Sequence, residues 1–398
     1  MRKIAAQYLF PINSKAIQKG YVCLNDEGVI TEIGELGSET ESTEFYNGII
    51  CPGFVNSHCH IELSHLEGSF SQDSGMAGFI HQINTLRSSK EKNERIKAIE
   101  VNLEKLYSSG VSAMADISNS DESFEIKSKS SLYTRTFLEV FGSDPKQSKE
   151  IIKNVLELSL RAQHAGIDAS PAPHACYSMS TDLLRESSAE GLKSGFLSFH
   201  NQESWEEEEL LIKGTGPLAD ELKRTGRSTP PVTGDSSLFY FLDTIAKIDR
   251  NYDEKIQSQI LLVHNTFTNE KSINAAKKTL ENLFWAICPL SNLFIHNALP
   301  PINLLREKNA KITLGTDSLS SNSVLSMVDE IVAIHRYFPG IPLEEILEWA
   351  TINGAQFLKK EDQLGSFEVG KQPGVVLIDN IDWQNLRLTE KSKSVRLV

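Results

Sequence analysis

The sequence has little of what would direct a protein to a membrane or to nucleic acid. Its apolar runs are all shorter than a membrane-spanning helix, and its first residues lack the apolar core of a signal peptide. The 53 Asp and Glu residues outnumber the 40 Lys and Arg residues, so the net charge is −13 and a basic nucleic-acid surface is not expected. We therefore expect a cytoplasmic protein that binds neither membranes nor nucleic acid.

Cysteine is scarce as well. The chain has 5 cysteines, an odd number, without the C-x-x-C spacing of a redox or zinc motif. Several lie in apolar runs, so we expect reduced and buried thiols. A glycine-rich phosphate loop after the first central strand is also missing, which argues against a doubly wound nucleotide-binding sheet.

The most informative residues present are polar side chains at the ends of apolar runs. His58 and His60 follow the run at 49–55. Residues i and i+2 of a strand point to the same side, so these two imidazoles can face one metal ion. Three further apolar runs end in a polar group of the same kind: 196–200 in His200, 260–264 in His264 and 311–317 in Asp317.

Strands and helices alternate through the centre of the chain. Helices are predicted at 91–108 and, with Ile152, Leu156 and Leu160 at four-residue spacing, before Gly166. We predict eight strands, at 49–60, 111–116, 132–140, 167–174, 196–200, 260–265, 283–288 and 312–317. This count predicts an α/β fold of the (β/α)8 TIM-barrel type, whose catalytic residues lie at the carboxyl ends of different strands.

Both termini read as short strands, including a hairpin at 20–33. We predict a small β-sandwich domain built from residues 1–50 and 367–398, with a hydrolase barrel at 51–366. The segment 214–236 is rich in Gly, Pro, Ser and Thr, and we predict a long loop between strands five and six. Such a loop either covers the site or is merely exposed, and the sequence leaves both readings open.

The polar strand ends suit one divalent metal, with Zn²⁺ favoured and Fe²⁺ or Mn²⁺ left open. The predicted ligands are three histidines and one aspartate: His58, His60, His200 and Asp317. Such a metal lowers the pKa of a bound water and makes a hydroxide nucleophile. Glu203 and His264 are predicted to carry protons, and Asp317 shares this catalytic role.

Taken together, these motifs resemble the amidohydrolase superfamily, in its cytosine deaminase and chlorohydrolase-like branch. The resemblance spans nearly the whole chain and rests on five segments: PGFVNSHCH at 52–60, H-x-x-E at 200–203, VH at 263–264, CPLSN at 288–292 and GTDSLSSN at 315–322. It implies one metal, because binuclear relatives bridge two metals with a modified lysine at the end of strand four, where this chain has Pro173 and His174. One departure is Leu290, where many relatives have Arg.

The segment HCHIELS at 58–64 is most similar to aminodeoxyfutalosine deaminases of menaquinone synthesis. The resemblance implies a deaminase of a 6-aminopurine nucleoside, with aminodeoxyfutalosine first and adenosine or S-adenosylhomocysteine second. Hydrolysis of a cyclic amide or chlorinated ring is the runner-up, and a non-catalytic binding protein is least favoured. His174 is expected to contact the nucleoside. Arg135 and Ser321 are further substrate-contact candidates, although an ion pair or hydrogen-bonding support would also explain them. A homodimer is left open.

Overall fold

The structure, a computed structural model, describes residues 1–37, 42–248 and 255–398. Both termini contribute to one mixed sheet of seven strands. Its strands are β1 (Arg2–Leu9), β2 (Ile17–Gln18), β3 (Gly20–Leu24), β4 (Ile30–Glu35), β5 (Thr43–Pro52), β14 (Val375–Ile378) and β15 (Ser394–Arg396). The predicted hairpin is confirmed as antiparallel β3 and β4. A sandwich is not confirmed, because these strands join in one sheet; residues 38–41 of the predicted domain lie outside the described residues.

Eight parallel strands occupy the centre, in two sheets of four, which confirms the predicted α/β class. The first sheet contains β6 (Phe54–Cys59), β7 (Val111–Ser118), β8 (Tyr133–Val140) and β9 (Asp168–Pro173). The second contains β10 (Phe196–Asn201), β11 (Ile256–His264), β12 (Leu280–Ile287) and β13 (Lys311–Leu314). Every residue of β6 and of β7 is buried, as expected for parallel strands covered on both faces.

The two sheets approach each other at both edges. At one edge the amides of Thr316 and Asp317 donate to the His58 carbonyl at 3.1 and 2.9 Å. At the other edge the His200 amide donates to the His174 carbonyl at 2.9 Å. Apolar side chains from both sheets also share one buried cluster. The carboxyl ends of all eight strands therefore lie at one end of the molecule, whereas complete closure of the barrel stays a prediction.

Helices follow most of the central strands. Their bounds are α1 Gly75–Leu86, α2 Lys92–Ser108, α3 Phe124–Lys129, α4 Ser148–His164, α5 Thr181–Lys193, α6 Trp205–Lys213, α7 Pro217–Arg224, α8 Ser237–Ala246, α9 Glu270–Thr279, α10 Pro289–His296, α11 Ile302–Glu307, α12 Met327–Tyr337, α13 Leu343–Ala350 and α14 Ile352–Phe357. Short 3-10 turns occur at Ile61–Leu66, Pro145–Gln147 and Cys176–Ser178. None of the described helices combines the length and the apolar character needed to cross a membrane.

The helix predicted before Gly166 is present as α4. Its buried face carries Val155, Leu158 and Ala162, whereas Leu156 and Leu160 are exposed. The segment 214–236 is not one long loop, because it contains α7, whose Leu218 and Leu222 are buried. The prediction of buried, unpaired cysteines is confirmed at all five positions.

Candidate active site

The polar residues predicted at strand ends meet at the carboxyl edge of the two central sheets. His58 and His200 lie within the last residues of β6 and β10, and His264 is the last residue of β11. His264 and Asp317 have left-handed backbones, with φ of 70° and 56°. These conformations are uncommon outside glycine and often mark functional sites, and here they turn the chain sharply where the side chain must face inward.

Three imidazoles and one carboxylate converge within the spacing of a metal site. His60 Nε2 lies 3.4 Å from His200 Nε2, and Asp317 Oδ1 lies 3.6 Å from His58 Nε2 and 3.7 Å from His60 Nε2. In a tetrahedral zinc site, ligand atoms at ordinary bond lengths are about 3.3 Å apart. His58, His60 and His200 offer nitrogens that lie within 4.8 Å of one another. The three histidines could therefore hold a divalent metal, and the Asp317 carboxylate lies close to two of them.

The environment of His58 also favours a metal. Its side chain is fully buried, and neither ring nitrogen has a hydrogen-bond partner. Burial, followed by the charges of nearby histidines such as His200 and His60, lowers the pKa of His58 well below its ordinary value. The ring is therefore neutral and offers a free lone pair. An unpartnered, buried nitrogen is costly unless something binds it, and a metal would do so.

Supporting hydrogen bonds orient His200 and Asp317, the two candidate ligands from the second sheet. His200 Nδ1 lies 3.2 Å from the His174 carbonyl, which leaves Nε2 facing His60. Ser291 and Ser321 donate hydroxyl protons to Asp317 Oδ2 at 2.6 and 2.7 Å, which leaves Oδ1 facing the histidines. Such partners fix the ring orientation and the lone pairs of metal ligands.

Asp317 remains a carboxylate despite its burial. Burial alone raises its pKa, but the charges of His60 and His264 and the two serine hydroxyls lower it, and the pKa falls below its ordinary value. Ser321, predicted as a substrate contact, is buried and donates its hydroxyl proton to the Asp317 carboxylate.

Glu203 and His264 form a second pair beside the converging ligand atoms. His264 Nε2 lies 3.5 Å from Glu203 Oε1, and the side-chain amide of Asn292 lies 3.2 Å from His264 Nδ1. Burial and then the charge of Asp317 raise the pKa of Glu203 well above its ordinary value, which favours its protonated form. Burial is the main cause that lowers the pKa of His264 to about 4, which favours its neutral form.

A cavity of about 560 Å³ opens onto this edge. It is lined by His60, His200, Glu203, His264 and Asp317, and by His174 as predicted for a substrate contact. The His174 ring lies 4.6 Å from the His200 ring, centroid to centroid. The volume lies in the range typical of sites for small organic ligands.

Arg135, predicted as a further substrate contact, is not among the residues that line this cavity. It is the third residue of β8, near the amino end of the strand and away from the carboxyl edge. Its guanidinium is buried, pairs with Asp168 and donates to Ser170 Oγ at 2.6 Å. The alternative reading as an ion pair is what the structure shows.

Sequence reasoning missed several groups that line the same cavity. Glu139 and Asn119 lie at the ends of β8 and β7, so the strand-end pattern that identified the histidines would have found them. Asn119 Nδ2 donates to Glu139 Oε2 at 3.1 Å, and Glu139 Oε1 lies 3.8 Å from His174 Nε2. The cavity also receives Phe141 and Arg87, for which the sequence offered no clear signal. Leu290 lies outside the cavity lining, and its amide donates to Glu330.

Known proteins resemble this chain in sequence and in structure. Residues 49–396 match the amidohydrolase family profile. An adenosine deaminase of Helicobacter pylori is 26% identical over 382 residues, which cover 93% of this chain and 90% of the relative. An aminodeoxyfutalosine deaminase of Nitratiruptor sp. is 27% identical over 341 residues, covering 84% and 79%. The solved H. pylori aminofutalosine deaminase in complex with methylthio-coformycin has a TM-score of 0.81 at 23% identity, with both chains covered in full, which is a likeness of fold.

Proposed function

The chain belongs to the amidohydrolase family, and from this premise we propose that it catalyses hydrolytic deamination of a 6-aminopurine nucleoside. The observation that carries the proposal is the pairing of two sets of groups at one strand edge. Four ligand atoms converge there, and Glu203 and His264 lie beside them in the same cavity. Deamination of a purine needs both sets, because water must be activated and protons must move to the ring and to the leaving amine.

We propose that His58, His60, His200 and Asp317 hold one divalent metal, with Zn²⁺ as the first candidate. Three nitrogens and one oxygen are the donors that this ion prefers. A metal held there would polarise a water molecule and lower its pKa toward neutrality. A mononuclear site is supported by the residue at the end of β9, where Pro173 is followed by His174 and no lysine is available as a bridge.

The proton transfers are assigned to two residues. His264 accepts a proton from the attacking water, because burial keeps its ring neutral and the ring lies beside the ligand atoms. Glu203 gives its proton to the ring nitrogen next to the amino-bearing carbon as the C–O bond forms. The amine then takes the proton from His264 and leaves as ammonia, while the hydroxyl proton of the tetrahedral carbon returns to Glu203, so that one water is consumed and the 6-amino group becomes a 6-oxo group.

Aminodeoxyfutalosine is the first substrate candidate, followed by adenosine and thioether nucleosides of the S-adenosylhomocysteine type. Two observations support a nucleoside: the curated relatives are named as nucleoside deaminases, and the cavity has room for more than a base. His174 is proposed as the nucleoside contact, since it lies beside His200 within this cavity.

The test is ammonia release from a panel of substrates by zinc-loaded protein. The panel contains aminodeoxyfutalosine, adenosine, 5′-deoxyadenosine, S-adenosylhomocysteine, a cyclic amide and a chlorinated triazine. We expect turnover of the 6-aminopurine nucleosides, and loss of that turnover in Glu203→Gln. The Glu209→Gln variant, changed outside the cavity on the same helix, is the matched control and should retain it. Turnover of the triazine or the cyclic amide alone would replace this proposal with the ring-hydrolase alternative.

We also infer that the eight central strands close into a barrel at 51–366 and that residues 1–50 and 367–398 form a separate small domain. Closure is supported by the backbone hydrogen bonds at both sheet edges. The separate domain is supported by an apolar cluster of its own, which joins Ile4, Val22, Ile50 and Val375.

A further inference from the structure

One fully buried carboxyl group lies outside the cavity and has no basic partner among the described residues. It belongs to Glu330 of α12, and its two oxygens accept hydrogen bonds from the Leu290 amide at 2.9 Å and from Asn322 Nδ2 at 3.0 Å. Burial raises the pKa of Glu330 well above its ordinary value, and the two hydrogen bonds only partly offset this. A buried carboxyl without a counter-charge adds little to stability, so its presence calls for another role.

One oxygen of Glu330 fixes the first turn of α10. Leu290 is the second residue of that helix, so its amide has no partner within the helix. Glu330 Oε2 accepts the hydrogen bond from this amide, whereas Pro289 before it has no N–H to donate. The turn held in this way carries the next two side chains of the chain, Ser291 and Asn292.

Both of these side chains contact groups that we assign to the reaction. Ser291 donates to Asp317 Oδ2 at 2.6 Å, and the side-chain amide of Asn292 lies 3.2 Å from His264 Nδ1. A shift of the first turn of α10 would therefore move a partner of a proposed metal ligand and a partner of a proposed proton carrier together.

The other oxygen of Glu330 holds the loop after β13. Oε1 accepts from Asn322 Nδ2, and the same nitrogen donates to the carbonyl of Thr316 at 3.0 Å. Thr316 directly precedes Asp317, and Ser321, directly before Asn322, donates to Asp317 Oδ2 at 2.7 Å. The loop that carries Asp317 is therefore closed on itself and fastened to α12 through Glu330.

A carboxyl group suits this position better than an amide. The Leu290 amide and Asn322 Nδ2 are both donors, and glutamate offers two acceptor oxygens where glutamine offers one. The two segments that Glu330 joins both donate to Oδ2 of Asp317, which leaves Oδ1 facing the histidines. The spacing of the two segments thus sets the direction of the Asp317 carboxylate.

We propose that Glu330 is a positioning residue of the site. It sets the spacing between α10 and the loop after β13, and through them it directs Asp317 Oδ1 toward the metal and holds His264 beside Glu203. The proposal rests on the proposed function for the roles of Asp317 and His264. It goes beyond that function because it gives a role to a residue that contacts neither the cavity nor the proposed ligands.

The test uses Co²⁺-loaded protein, whose visible absorption reports the geometry of the metal ligands. In Glu330→Gln we expect an altered spectrum and a loss of Co²⁺ affinity of at least about tenfold, the scale of changing a group behind a metal ligand. With Zn²⁺, kcat for deamination should fall by a similar factor while KM changes by less than about twofold, because Glu330 does not line the cavity. Asp329→Asn, the same change at the neighbouring residue of α12, should leave spectrum, affinity and kcat unchanged.

A double-mutant cycle separates positioning from a general effect on the fold. In the Ser291→Ala/Ser321→Ala protein, Asp317 Oδ2 has lost both partners, so adding Glu330→Gln should lower Co²⁺ affinity by less than about threefold further. Asn322→Ala removes only one of the two contacts and should shift the Co²⁺ spectrum in the same direction. This variant carries the test if Glu330→Gln does not fold.

Two results would overturn the proposal. One is a lower unfolding midpoint of Glu330→Gln with an unchanged Co²⁺ spectrum and an unchanged kcat, which would make the role of Glu330 purely structural. The other is an equal loss of Co²⁺ affinity with and without the two serine hydroxyls. Absence of deamination by the unaltered protein, with the spectral change intact, would instead contradict the proposed function and leave the positioning role standing.

Discussion

Individual side chains at this site differ in what surrounds their reactive atoms. Both ring nitrogens of His58 are buried without a protein partner, whereas His264 is held by Asn292 and faces Glu203. The unpartnered nitrogens of His58 are what we expect of a metal ligand. The position of His264 beside the buried carboxyl of Glu203 is what we expect of a residue that transfers protons. Loss of a metal ligand should therefore remove the metal, whereas loss of a proton carrier should stop the reaction with the metal still bound.

Loss of a proposed ligand should remove metal and activity together. In His200→Ala, one of three converging nitrogens is missing, and we expect metal affinity to fall by more than about a hundredfold. This loss is larger than the loss usually seen when a residue that hydrogen-bonds to a metal ligand is changed. Metal content by atomic spectroscopy after dialysis checks this. The nearby Ser198→Ala variant, on the same strand, is the control and should remain loaded. A fully loaded His200→Ala protein would exclude His200 as a ligand.

Loss of a proton carrier should leave the metal in place. Glu203→Gln and His264→Asn should each bind one metal per chain, while kcat falls by about a hundredfold or more, the scale of a positioned acid or base. Steady-state kinetics and metal content on the same preparations measure both properties. If His264→Asn emptied the metal site, His264 would be a ligand and a binuclear site would have to be considered.

The residues that could be predicted from the sequence are those whose role follows from position at a strand end. His58, His200 and His264 could be identified from the sequence because an apolar run stops at or near each of them. Glu139 carried the same strand-end signal, one residue before the end of β8, and was overlooked. Arg135 stands near the amino end of its strand, where the strand-end argument gives no reason to expect a substrate contact.

Among the secondary-structure elements, α1 is held at its first turn by Glu206, which follows Glu203 by three residues in the sequence. Both carboxylate oxygens of Glu206 accept backbone hydrogen bonds, from the amides of Met76 and Ala77 at 2.9 Å. These are otherwise unpaired donors in the first turn of α1, and the helix dipole favours the negative charge. Glu206 thus links α6, which follows Glu203, to the helix that lines the cavity.

Glu206→Gln should loosen α1 without changing the chemistry. Its amide can accept only one of the two hydrogen bonds, and we expect a loss of about 1–2 kcal/mol in helix stability. KM should rise several-fold while kcat changes little, because α1 forms a wall of the cavity. Hydrogen exchange at 75–87 together with kinetics measures this, with Glu209→Gln as the control on the same helix. Unchanged exchange in α1 would refute the link.

Helices could be located from the sequence more reliably than their buried faces. The helix α4 has two apolar stripes, one through Ile152 and Leu156 and one through Val155 and Leu158. Periodicity allows either stripe to face inward, and only packing against β9 and α5 selects the second. The helix α7 was missed because its Gly-rich and Pro-rich flanks dominate the segment, although Pro217 at the first helical position is itself a start signal.

In the molecule as a whole, the C-terminal segment is fastened to the central fold through buried polar groups. His335 of α12 is buried, and its Nδ1 accepts the Leu388 amide at 3.3 Å. Burial, and then the charge of Arg387, lowers the pKa of His335 from 6.5 to about 4. The unfolded chain therefore binds a proton at this residue at higher pH than the folded chain does.

Acidification should weaken the fold through His335. Its contribution to the free energy of unfolding is present above pH 6.5 and is lost as the pH falls toward 4. His335→Gln, which can still accept the Leu388 amide, should lose less stability over this interval, by on the order of 1 kcal/mol. Urea unfolding of both proteins at the two pH values measures the difference, and His81→Gln, at an exposed histidine, is the control. Equal pH dependence of all three proteins would contradict the assignment.

The α/β fold class could be predicted from the alternation of strands and helices, which is a local pattern repeated along the chain. The pairing of the terminal strands could not be predicted from such a pattern. β5 pairs with both β1 and β14, so residues from opposite ends of the chain share one sheet. Such pairing depends on contacts between distant segments, and no local periodicity specifies it.

The most direct test of the proposed chemistry is a metal titration of the metal-free protein during nucleoside deamination. Zn²⁺ is added in steps while conversion of the 6-aminopurine to the 6-oxopurine is followed by its ultraviolet absorbance, with adenine as the matched free base. We predict no conversion without metal, a rate that reaches its plateau at one equivalent per chain, and far slower conversion of the base than of its nucleosides. Full activity before metal is added, a plateau only at two equivalents, or no conversion of any aminopurine would contradict a mononuclear nucleoside deaminase.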